Sequence, residues 1–88
     1  MATMTVEFFG IPRARAGVPE LVVPARTVAQ ALAEVATAIP ALADLLQADG
    51  RLAPHYLLCV GGGLFDVPLN EPLPSGARLL LLSADAGG

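Results

Sequence analysis

Only one stretch of this sequence carries the full signature of an amphipathic helix, and strand-forming runs flank it on both sides. Thr27 is a good N-cap, and Gln30 completes a capping box of reciprocal side chain-to-backbone bonds. Val28, Ala31, Leu32, Val35, Ala36 and Ile39 then recur at helical spacing along one face. Pro40 ends the helix, because it lacks an amide donor and its ring clashes with the preceding turn. One substantial helix covers only one face of a sheet. The order of elements therefore predicts an α+β fold, a sheet packed on one main helix.

The other elements follow from strand formers and turn punctuation. Residues 4–9 form a first strand, closed by Gly10-Ile11-Pro12. Residues 13–19 are small and polar, with Gly17 and Pro19 marking a loop. Residues 20–23 make a second strand ended by Pro24, antiparallel to the first. Pro40 also suits the first position of a short second helix carrying Leu42, Leu45 and Leu46, which Ala48-Asp49-Gly50 ends. Residues 55–60 form a third strand, turned by Gly61-Gly62-Gly63 into a short strand at 64–67. Pro68, Pro72, Pro74 and Gly76 mark an irregular connection before a last strand at 77–83. No repeat or internal boundary is visible. The expected organisation is one domain over residues 1–83 and a flexible tail over 84–88, ending Ala86-Gly87-Gly88.

Hydrophobic residues make up 55% of the 88, which is high for so short a chain and leaves few polar residues to cover a sheet. Glu7 and Phe9 share one side of the first strand, and the last strand offers leucine on both sides, at Leu79 and Leu81, and at Leu80 and Leu82. The face away from the helix is thus expected to carry apolar surface, an attribute of partner surfaces unless loops or the second helix cover it. No apolar run approaches the roughly 18 residues of a membrane span. No basic-then-apolar leader is seen, so cytoplasmic residence is expected. Net charge is −3, without the basic cluster a nucleic-acid footprint requires. The basic residues are all arginine (Arg13, Arg15, Arg26, Arg51 and Arg78), so no side-chain amine in this sequence can accept an acyl group.

Conventional catalytic constellations are absent. His55 is the only histidine and Cys59 the only cysteine, which excludes a disulfide framework and a histidine metal cluster. Cys59, between Leu58 and Val60, reads as a packing residue, and His55 as an exposed strand start. Glu20, Glu34, Asp44, Asp49, Asp66, Glu71 and Asp85 are scattered as on a solvated surface. Gly61-Gly62-Gly63 precedes a strand and not a helix, so it reads as a turn and not a phosphate cradle. What remains is the carboxylate of Gly88. Gly87 and Gly88 lack a Cβ and so can enter a narrow channel. From residue 83 an extended tail reaches about 20 Å. A carboxylate is a poor electrophile, so acyl chemistry there requires conversion to a mixed anhydride with AMP, by a partner that uses ATP and Mg²⁺. No cofactor is expected on this chain.

The ending Gly76-Ala77-Arg78-Leu79-Leu80-Leu81-Leu82-Ser83-Ala84-Asp85-Ala86-Gly87-Gly88 resembles that of the MoaD/ThiS family of ubiquitin-like, β-grasp sulfur carriers, and Asp49-Gly50-Arg51-Leu52-Ala53-Pro54-His55 resembles the family's entry into the third strand. Ala77 replaces the family's acidic residue, Ser83 and Ala84 replace its two prolines, and Gly61-Gly62 replaces its Asn-Gly hairpin. The resemblance implies a β-grasp fold, a mixed sheet with the last strand central and parallel to the first. It implies that an E1-like adenylyltransferase of MoeB/ThiF type activates Gly88. A thiocarboxylate then donates sulfur, for molybdopterin synthesis in the first place, or for thiamin, cysteine or another metabolite. The chain would be a protein co-substrate and not an enzyme, docking through Phe9, Leu80 and Leu82 on the activating enzyme or a MoaE-like acceptor subunit. A homodimer through the same face is a further expectation. Two other readings fit the same residues: a protein modifier forming isopeptides, and a non-covalent β-grasp interaction domain.

Overall fold

A computed structural model describes residues 2–60, 69–70 and 72–84. Along the chain run β1 (Thr3–Phe8), α1 (Ile11–Ala16), β2 (Glu20–Pro24), α2 (Val28–Ala38), a 3₁₀ helix (Pro40–Leu45), β3 (Tyr56–Val60) and β4 (Ala77–Ser83). The strands form one sheet in the order β2-β1-β4-β3. The central pair β1 and β4 is parallel, and both outer pairings are antiparallel. The expected strand at residues 64–67 and the Gly61-Gly62-Gly63 turn lie outside the described residues.

Alternation along the strands places the core. Met4, Val6 and Phe8 of β1 are buried, as are Leu79 and Leu81 of β4, Val23 of β2, and Tyr56 and Leu58 of β3. Against this face pack Val28, Ala31, Leu32 and Val35 of α2, with Leu42 and Leu45 of the 3₁₀ helix. Each large aliphatic side chain so buried contributes about 1.5–3 kcal/mol relative to exposure. Leu69 and Leu73 pack against the same core, and Leu73 donates its amide to the Arg26 carbonyl at 3.0 Å.

The start of α2 is capped as expected on one side and differently on the other. The Gln30 amide donates to Thr27 Oγ1 at 3.2 Å, whereas Gln30 Oε1 accepts from the Arg26 amide at 2.8 Å, one residue before the cap. The segment at 13–19 is not simply a loop, because α1 occupies Ile11–Ala16. Pro12 in its first turn needs no donor, and Gly17 ends it in the left-handed region at φ 75, its amide bonded to the Arg13 carbonyl at 3.0 Å. Burial of Pro12 fixes this short helix to the domain.

Candidate functional site at the tail-exit end of the sheet

Because β1 and β4 run parallel, they finish at the same end of the sheet, where Phe8 is level with Leu81. Phe9 follows immediately, its amide donating to the Leu81 carbonyl at 3.0 Å, and its side chain is 58% exposed. The tail departs from this end, after Ser83 and Ala84. Gly88, Gly87 and Ala86 lie outside the described residues. Phe9 itself lies just past β1 and not within it.

The face opposite the helix divides into two halves. Leu80 is level with Glu7 on one side and Cys59 on the other, and Leu82 is level with Leu57. These four apolar positions on β4 and β3 are half-buried. On the β2–β1 side, Arg78 Nε donates to Glu7 Oε1 at 2.7 Å and Arg78 Nη2 to Glu20 Oε1 at 3.0 Å. The bond to Glu7, reinforced by Glu20, pushes the Arg78 pKa further up. The expectation of a broadly apolar face is therefore corrected. Apolar character is carried by β4 and β3 and by Phe9 just past β1, with Val22, 59% exposed, isolated on β2. Cys59 is also corrected from a core position, since strand parity turns it away from buried Leu58.

A second group of residues converges at the tail exit, and sequence spacing gave no sign of it. Tyr56 Oη donates to Asp44 Oδ1 at 2.6 Å and accepts from Arg15 Nη1 at 2.8 Å. Asp44 Oδ2 lies 3.1 Å from His55 Nε2 and 3.3 Å from Arg15 Nη1. Burial, then the bond to Asp44, pushes the Tyr56 phenol up to about 12. The Tyr56 hydroxyl is the largest cause holding Asp44 below its ordinary value, with His55 and Arg15 assisting against desolvation. Asp44 and His55 are surface residues, as their sequence surroundings suggest, and nothing in those surroundings pairs them. Only the fold brings α1, the 3₁₀ helix and the start of β3 together.

Among the described residues no cluster of acidic, histidine or cysteine side chains could hold a metal ion. No helix among them is long and apolar enough to cross a membrane.

No protein-family model matches the sequence, and no curated protein matches it. Solved structures do match over nearly the whole chain. A crystal structure of small archaeal modifier protein 1 from Haloferax volcanii aligns with a TM-score of 0.82 at 27% identity, covering 99% of this chain and 100% of that one. A second crystal structure of that protein gives 0.77 at 28% identity, covering 93% and 97%. The solution structure of small archaeal modifier protein 1 from Methanosarcina acetivorans gives 0.79 at 24% identity, covering 100% and 98%, a likeness of fold alone. The chain therefore has the ubiquitin-like β-grasp fold, and at full length it is similar to small archaeal modifier proteins.

Proposed function

We propose that this chain is a ubiquitin-like carrier whose Gly88 carboxylate is activated by an E1-like adenylyltransferase and then converted to a thiocarboxylate for sulfur donation. The observation that carries this reading is the parallel β1–β4 pair. It puts the start of the tail beside exposed Phe9 and the half-buried leucines of β4, in a fold similar to that of proteins named as modifiers. The domain docks, and the residues after Ala84 carry the carboxylate into the partner. There the carboxylate attacks the α-phosphorus of ATP, releasing pyrophosphate and leaving an acyl adenylate. A sulfide equivalent displaces AMP to give the thiocarboxylate. Molybdopterin synthesis, with a MoaE-like acceptor subunit, is the first destination proposed, and thiamin, cysteine or another sulfur-containing metabolite the alternative. The chain itself acts as a co-substrate in the cytoplasm, binding no cofactor.

The similarity to modifier proteins favours a second fate for the same adenylate. An amine attacks the acyl carbon, AMP leaves, and an isopeptide forms. This sequence has no lysine, so the amine belongs to another protein. One experiment separates the two fates. The chain is incubated with the activating enzyme, ATP, Mg²⁺ and a sulfur donor, then analysed by intact-mass spectrometry, alongside a search of cell extracts for lysines bearing its C-terminal peptide. Sulfur carriage predicts exchange of one oxygen for sulfur, localised to the terminal peptide. One residue added after Gly88 should abolish the exchange, and normal reaction of that variant would overturn the proposal.

A further inference from the structure

Ala84, the first residue of the expected tail and the last one described, is held by the neighbouring strand. Its amide donates to the His55 carbonyl at 2.9 Å, and Ser83 before it is level with Tyr56. The direction in which the tail leaves therefore depends on where His55 and Tyr56 are held. Tyr56 opens β3, an outer strand of the described sheet, and His55 immediately precedes it; strand ends with few ties open at low free-energy cost.

Backbone bonds hold this end, Tyr56 donating its amide to the Ala53 carbonyl at 3.0 Å, and side chains add to them. The Tyr56 hydroxyl sits between Asp44 at 2.6 Å and Arg15 at 2.8 Å, and Asp44 also bonds His55 at 3.1 Å. The Tyr56 ring is buried at 3% exposure, whereas the ion pair of Arg15 and Asp44 is about half exposed. An exposed pair of that kind contributes little to stability by itself. Its effect is geometric, because α1 and the 3₁₀ helix grip the same buried hydroxyl. Ser83-Ala84 has no proline ring to fix φ, so the direction of the chain there rests on the hydrogen bonds and packing around it.

We infer that Tyr56, Asp44 and Arg15 are positioning residues that anchor the root of the tail and set its exit direction. The catalytic consequence rests on the carrier reading above, while the mechanical one does not. Docking through the sheet sets KM, and the orientation of the root sets the fraction of docked complexes with Gly88 in the partner's site, which enters kcat.

The test uses the full chain as wild type, Tyr56→Phe and Asp44→Ala, with hydrogen exchange followed residue by residue and adenylation followed with the E1-like enzyme and ATP. The expected result is exchange at the Ala84 amide faster by about tenfold or more, with Leu79 and Leu81, which face β1 in the centre of the sheet, unchanged. With it, kcat should fall several-fold while KM stays within about twofold. General destabilisation would instead speed exchange at Leu79 and Leu81 as well, and raise apparent KM by depleting folded substrate. That pattern, or unchanged exchange at Ala84 in both variants, overturns the anchor. Faster exchange at Ala84 with unchanged kcat overturns the positioning role and leaves the carrier reading intact. A wild-type chain that is never adenylated counts against the carrier reading, and the exchange measurement then decides the anchor alone.

Discussion

Glu7 and Leu80 are level with each other on adjacent parallel strands, and the open face of the sheet changes character between them. On the Glu7 side, Arg78 ties two carboxylates together. On the Leu80 side, Cys59, Leu57 and Leu82 make an apolar strip leading toward the tail exit. A partner on this face can thus be oriented by charge on one side and held by apolar burial on the other.

The docking role proposed for Phe9, Leu80 and Leu82 is checked by Phe9→Asp. Phe9 is 58% exposed and follows β1, so the substitution should leave the fold intact, as circular dichroism would record. Affinity for the activating enzyme should fall by at least about 2 kcal/mol if Phe9 is a central anchor. Calorimetric titration reads this directly. A folded variant of unchanged affinity would move the interface elsewhere.

Tyr56 should make stability fall at alkaline pH. Its folded pKa of about 12 exceeds the ordinary 10.0, so the unfolded chain releases the proton first. The stabilisation is fully present below pH 10.0 and is lost as pH rises toward about 12. Tyr56 is the only tyrosine and the chain has no tryptophan, so phenolate absorbance titrates this one group. Asp44 acts in the opposite sense. Its carboxyl is held below 3.8, so its contribution is present above that pH and is lost as pH falls through the folded value. Tyr56→Phe should flatten the alkaline limb and weaken the acid one. An unshifted phenolate titration would contradict the buried, hydrogen-bonded hydroxyl.

Cys59→Ser is expected to be mild. On the open face the serine hydroxyl can reach solvent, so stability should drop by less than about 1 kcal/mol in a denaturant melt. Sulfur transfer should persist. A stable variant that lost transfer would indicate a thiol relay through this position.

Where neighbours in sequence carry the information, the sequence was readable. The cap at Thr27, the apolar stripe of α2, the stop at Pro40 and the span Ala77–Ser83 all follow from periodicity and from residues within about one turn. Even α1, read as a loop, had its marks in Pro12 and Gly17, but its single short stripe is too brief to stand out by period. The division of the open face, the turning of Cys59 away from the core and the meeting of Arg15, Asp44, His55 and Tyr56 were not readable. Each depends on which strands become neighbours and in what register, and β1 meets β4 only after the chain has crossed from one edge of the sheet to the other. Side-chain partners 29 and 41 residues apart, as Arg15 is from Asp44 and Tyr56, leave no local trace, because burial and hydrogen bonding select them only once the core has closed.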